Sequence, residues 1–199
     1  MLKKEIENYI SSSLTDLRYR HTLGVAQTAV KLAGLYGVDS AKAEIAALLH
    51  DIARDFDDSL LLENCRKYNI EPDETERAVP ALLHGRVGAE IAAERFNITD
   101  GEILDPVRYH TTGRKNMTIP DEILFLADMI EPGRDFPGIA ELRELAFKDL
   151  DLAVLAGLDS TINYVIERGL TIHPASIEAR NVLVRKIKES GATLKEQRD

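Results

Sequence analysis

Apolar residues recur at helical spacing along the whole chain, and the strict alternation of a half-buried strand is nearly absent. A 3.6-residue period sustained end to end leaves packing helix on helix as the way to bury the apolar stripes. The expected fold class is therefore all-α. Capping and breaking residues place the helices. Residues 2–12 form a short helix, and Thr15 or Asp16 caps a longer one that stops at Gly37. Ser40 caps "AKAEIAALLHDIAR", 58–69 is a further helix, and a short one lies near 74–79. Pro80 opens "ALLHGRVGAEIAAERF"; Asp100 caps the next helix, which Gly113 stops; Pro120 and Asp121 start "EILFLADMIEP". Residues 139–147, 151–168 and 174–190 complete the set.

A chain of 199 residues suits one domain, taken as residues 1–190 with 191–199 as a frayed tail. The formal charge of -9 repels nucleic-acid backbone and anionic membrane, so no long nucleic acid and no membrane is expected as a partner. A small anionic ligand remains compatible if a local cation reverses the sign at one site. Cys65 is the one cysteine, which excludes an internal disulfide and suits a reducing cytoplasm. The N-terminus lacks the apolar core of a signal peptide, and no run reaches the length of a membrane span. Oligomeric state is not written in the pattern, although exposed leucines are compatible with a homodimer.

Six ionisable residues fall on faces the periodicity would bury. His21 shares a face with Val25, Ala29 and Leu32; His50 with Ala43, Ala46 and Ala47; His84 with Val87 and Ile91; His110 with Ile103 and Val107. Asp51 follows Ala47 and Leu48, and Asp128 follows Leu124 and Phe125. One buried histidine is cheap, since it stays neutral with a single hydrogen bond, and one buried aspartate can pair with an arginine. Four of the five histidines on apolar faces, with two aspartates beside them, are explained together by one metal site. Mixed imidazole and carboxylate donors argue against a structural thiolate zinc site and suit Fe, Mn, Co, Ni or Zn with open positions. Such an ion lowers the pKa of bound water toward neutrality and supplies hydroxide as nucleophile. His84 and His110 are candidates for a second ion or for donating to phosphate oxygens.

The order H…HD…D, at His21, His50–Asp51 and Asp128, resembles the HD-domain metal-dependent phosphohydrolases. The longer strings "RYRHTLGVAQTAVKLA", "AALLHDIARD", "LLHGRVGAEIA", "HTTGRKNMTIPDEILFLADMIEPGRDFPG" and "IHPASIEARN" are similar to the YqeK family from about residue 15 to 185. That resemblance implies a helical HD bundle with a metal centre between helices. It implies metal-dependent symmetrical hydrolysis of dinucleoside tetraphosphates, chiefly diadenosine tetraphosphate to two ADP, with iron as the ion. It implies that His21, His50, Asp51 and Asp128 hold the metal, and that His84 and His110 line the phosphate path or complete a second metal position. Asp51, His84 and His110 are the candidate catalytic groups, Asp51 by orienting or deprotonating the water. Arg18, Thr111, Arg134, Thr171 and His173 join His84 and His110 as candidate substrate contacts, with His173 as cap or pocket wall. Arg180 and Asn181 are expected to pin the last helix. Two other readings share these residues: an HD phosphohydrolase acting on other nucleotides or cyclic nucleotides, and a nucleotide-binding regulator without turnover.

Overall fold

The computed structural model describes residues 1–190, and every regular element among them is helical. In chain order they are α1 (Leu2–Ser13), α2 (Asp16–Tyr36), α3 (Ser40–Leu49), α4 (Asp58–Lys67), α5 (Glu74–Ala78), α6 (His84–Phe96), α7 (Gly101–Tyr109), α8 (Ile119–Ile130), α9 (Ile139–Ala146), α10 (Leu150–Glu167) and α11 (Pro174–Glu189). A 3-10 turn, Pro80–Leu83, leads into α6. Short polar side chains start most of them by satisfying free backbone N–H groups. Thr15 caps α2, Asp57 α4, Asp100 α7 and Asp149 α10. Asp73 with Glu76, and Thr118 with Asp121, form reciprocal capping boxes on α5 and α8.

α2 packs along α3 and α8, and α7 packs against α3, α6 and α8. Val25, Ala29 and Leu32 of α2, Leu48 and Leu49 of α3, Val107 of α7, and Leu124 and Leu126 of α8 fill the space between them. α1 closes one side through Ile6 and Ile10, while α9, α10 and α11 extend the same core beyond α8. A smaller cluster of Ala53, Leu61, Cys65, Leu83 and Val87 seats α4 beneath α6. No described helix is long and apolar enough to cross a membrane.

Four sequence expectations are corrected. Asp39, not Ser40, caps α3: its carboxylate accepts from the N–H of Ala41 and Lys42. α3 also ends at Leu49 instead of running to Arg54. Residues 50–55 form tight turns, with Ile52 N–H donating to Leu49 O and Arg54 N–H to Asp51 O. The His50 ring takes the carbonyl of Ala47 at 2.7 Å, the group that the N–H of residue 51 would need to continue the α-helix. The segment from Pro80 is likewise broken, a 3-10 turn and then α6, with the His84 ring on the carbonyl of Ala81 at 2.6 Å. α8 begins one residue before Pro120, under the Thr118 cap. The expected tail at 191–199 lies outside the described residues.

Candidate metal centre

His50, His84 and His110 share one local device. Each stands at a helix boundary in right-handed helical conformation, and its Nδ1–H donates to the carbonyl three residues earlier. The acceptors are Ala47 at 2.7 Å, Ala81 at 2.6 Å and Val107 at 2.8 Å. In the neutral ring a proton so held on Nδ1 leaves Nε2 with its lone pair for a metal. His21 lies inside α2 and is anchored differently: its Nδ1–H donates to Glu131 Oε1 at 3.1 Å.

The four Nε2 atoms converge on two carboxylates. Asp51 Oδ2 lies 3.3 Å from His50 Nε2 and 3.8 Å from His21 Nε2, while its Oδ1 lies 3.4 Å from His84 Nε2 and 3.8 Å from His110 Nε2. Asp128 Oδ1 lies 3.0 Å from His21 Nε2. Three overlapping trios result: His21, His50 and Asp51; His50, His110 and Asp128; Asp51, His84 and His110. Within each trio the donor atoms stand within 4.8 Å of one another. Two arginines cap the outer edge. Arg18 Nη1 is 2.7 Å from Asp51 Oδ2, and Arg134 Nη2 is 2.6 Å from Asp128 Oδ1.

The charges favour a cation. Burial pushes the Asp51 carboxyl up, but His50, His84 and His110 more than offset it and hold it well below the ordinary carboxylate range. Asp128 is lowered in the same way, its burial outweighed by contact with His21 and by His50 and Arg134. Burial, then repulsion from His84 and His50, brings His110 down to about 3, so its ring is neutral. Burial also opposes charge on His50, yet Asp51 and Asp128 raise it to about 9, so without an ion its Nε2 carries a proton that a bound cation would displace.

The donor set fits a metal ion on two observations. His21 Nε2 and His50 Nε2 are enclosed and make no hydrogen bond, because the nearby carboxylate oxygens do not line up for one. Buried ring nitrogens of this kind are costly without a partner. His84 Nε2 and His110 Nε2 face each other at 3.0 Å although both rings carry their proton on Nδ1. Opposed lone pairs at that distance call for a cation beside them. Imidazole and carboxylate together suit a divalent transition metal.

The structure therefore brings His21, His50, Asp51, His84, His110 and Asp128 together. Thr111 joins them, its Oγ1 3.2 Å from both His84 Nε2 and His110 Nε2. Thr171 is exposed and His173 caps α11, its Nδ1 accepting from Ala175 N–H and its Nε2 3.0 Å from Asp73 Oδ2. Neither makes a hydrogen bond or ion pair to the six, although Ser176 Oγ donates to Thr112 O and lays the start of α11 against the Thr111–Thr112 turn. Arg180 pairs with Asp159 and pins α11 to α10. A surface cavity of about 450 Å³ lies elsewhere, beside Leu62, Cys65 and Arg77, and shares no residue with the cluster. Sequence reasoning missed Glu131. The signal available was its place three residues after Asp128, at the end of the same helix.

Residues 18–133 match the model of the HD domain family. The chain is 38% identical over 175 residues to the "Bis(5'-nucleosyl)-tetraphosphatase, symmetrical" of Halalkalibacterium halodurans, covering 88% of this chain and 93% of that protein. It is 36% identical over 184 residues to the protein of the same description from Bacillus subtilis, covering 92% and 98%. A crystal structure from Clostridium acetobutylicum, described as a predicted HD superfamily hydrolase involved in NAD metabolism, is 41% identical with a TM-score of 0.90. That match covers 92% of this chain and 97% of the other.

Proposed function

We propose a reaction from one premise: the chain belongs to the HD domain family and, within it, to the YqeK group of symmetrical bis(5'-nucleosyl)-tetraphosphatases. The protein is a metal-dependent hydrolase that splits a dinucleoside tetraphosphate, diadenosine tetraphosphate above all, into two nucleoside diphosphates. The observation that carries this reading at the site is the convergence of four imidazole Nε2 atoms and two ionised carboxylates in one cluster.

A divalent ion held there supplies Lewis acidity and lowers the pKa of a bound water toward neutrality. His21, His50, Asp51 and Asp128 are its proposed ligands, and Asp51, His84 and His110 can hold a second ion. We read the native ion as iron, from the family resemblance; the donor set also suits Mn, Co, Ni and Zn. Asp51 orients the attacking water, a role supported by its place in two of the three trios. Arg18 and Arg134 turn from the carboxylates to polyphosphate oxygens as substrate enters, a role suited to their planar forks. The Thr111 hydroxyl, beside His84 and His110, donates to the phosphate that develops charge. Thr171 and His173 wall the nucleotide side, supported by the seating of α11 on the Thr111–Thr112 turn. Positive charge gathered here offsets a chain of net charge -9 toward an anionic substrate.

The chain works as one unit over residues 1–190, a reading supported by a core running from Ile6 to Ile187. Free Cys65 supports a reducing cytoplasm, and exposed Leu17 and Leu35 on α2 support a homodimer. Anion-exchange chromatography of the products from diadenosine tetraphosphate tests the reaction. Two ADP are expected. AMP with ATP would overturn the symmetrical reading, release of free phosphate would indicate another HD phosphohydrolase, and binding without turnover would indicate a regulator. Elemental analysis of anaerobically purified protein tests the iron.

A further inference from the structure

The four imidazoles are not anchored alike. His50, His84 and His110 lean on neutral backbone carbonyls of their own turns, whereas His21 leans on a carboxylate from the far end of α8. Glu131 is 5% exposed and doubly held. Its Oε2 accepts from Gly133 N–H at 2.6 Å, and its carbonyl accepts from Arg143 Nη2 at 2.8 Å. Arg143 also takes the carbonyls of Ile130 and Arg134, so one guanidinium staples the whole turn after α8. The same turn delivers Arg134 to Asp128. On the other side α2 makes room: a Cβ on Gly24, three residues after His21, would stand 2.5 Å from Glu131 Oε2.

We infer that Glu131 is a positioning residue for the metal centre, locking His21 in the Nδ1–H tautomer and raising the donor strength of its Nε2, in a cradle made by Gly24, Gly133 and Arg143. A carboxylate on Nδ1–H draws that proton away and pushes electron density onto the ring, which a neutral carbonyl does less well. His21 is then the strongest imidazole donor of the four, and the ion position it shares with His50 and Asp51 depends on a residue that never touches the ion. The inference rests on the metal-centre reading above.

The test uses zinc, a diamagnetic probe, on the full chain carrying Glu131→Gln, Gly24→Ala or the control Glu122→Gln. Glu122 is a buried acid on the same helix outside the cluster. Competition with a chromophoric chelator reads affinity, and long-range 1H–15N spectra of the imidazoles read the tautomers. Glu131→Gln and Gly24→Ala are each expected to weaken zinc binding by roughly 10- to 100-fold. The His21 ring should lose its single tautomer while His50, His84 and His110 keep theirs, and Glu122→Gln should match wild type in both readouts. Alanine favours a helix over glycine, so a defect in Gly24→Ala does not arise from a weakened α2; should that variant misfold, Glu131→Gln decides alone. Wild-type affinity with an unchanged His21 tautomer in Glu131→Gln would overturn the inference, as would an equal loss in Glu122→Gln. A wild-type chain that binds no zinc would instead overturn the metal-centre reading beneath it.

Discussion

Asp51→Asn keeps the shape of the side chain and removes one charge from the point where the site is most crowded. The Asp51 oxygens lie between 3.3 and 3.8 Å from the Nε2 atoms of His21, His50, His84 and His110, so one carboxylate serves two of the three trios. At about 4 Å and an effective dielectric near 20, each unit of opposing charge is worth ~4 kcal/mol. Loss of that attraction for a cation corresponds to roughly 10³-fold in affinity. The fold should survive, because the Arg18 side chain is 27% exposed and its released guanidinium reaches water. Metal affinity is measured by chelator competition, turnover by ADP release, and folding by far-UV circular dichroism. The expected outcome is a helical protein with metal binding reduced at least 10³-fold and turnover lost at limiting metal. Wild-type affinity and turnover in Asp51→Asn would refute the assignment of this carboxylate.

Other outcomes follow from the same geometry. Glu122 lies in the first turn of α8, and burial raises its pKa from 4.5 to about 7. The folded state therefore holds this proton more tightly than the unfolded one, so stability is full below pH ~4.5 and falls as pH rises through about 7. At about 1.4 kcal/mol per pH unit the loss totals ~3 kcal/mol. Urea melts of metal-free protein at pH 5 and pH 8 should show that loss in wild type and not in Glu122→Gln; equal slopes would contradict it. Gly85→Ala would place a Cβ 2.9 Å from Val107 O and 3.3 Å from His110 Cε1. It should destabilise the protein by about 1–3 kcal/mol and lower kcat by displacing the His110 ring; an unchanged melting temperature and kcat would count against so tight an α6–α7 contact. Arg18→Ala removes a charge-assisted bond worth about 1.5–3 kcal/mol to a phosphate, so kcat/KM should fall roughly 10- to 100-fold. An unchanged kcat/KM would show that Arg18 serves Asp51 alone.

The all-helical class, the order of helices and the six clustered side chains were legible in the sequence, because helical periodicity reports which face a residue occupies. Burial of His50, Asp51, His84 and His110 agrees with that face reading. Periodicity does not report where a helix stops when a side chain takes over a backbone carbonyl. The His50 and His84 rings do so at Ala47 and Ala81, and they stand at helix boundaries where a continuous helix was expected. Nor does it pair residues distant in the chain. His21 and Glu131 are 110 positions apart, and their hydrogen bond exists because α2 and α8 lie side by side with Gly24 leaving space between them. Arg18 on Asp51 and Arg134 on Asp128 were likewise decided by packing. Residue chemistry along the chain determined which donors are available; the tertiary structure decided which nitrogens point inward and which groups hold them there, since both depend on distances that helix packing alone sets.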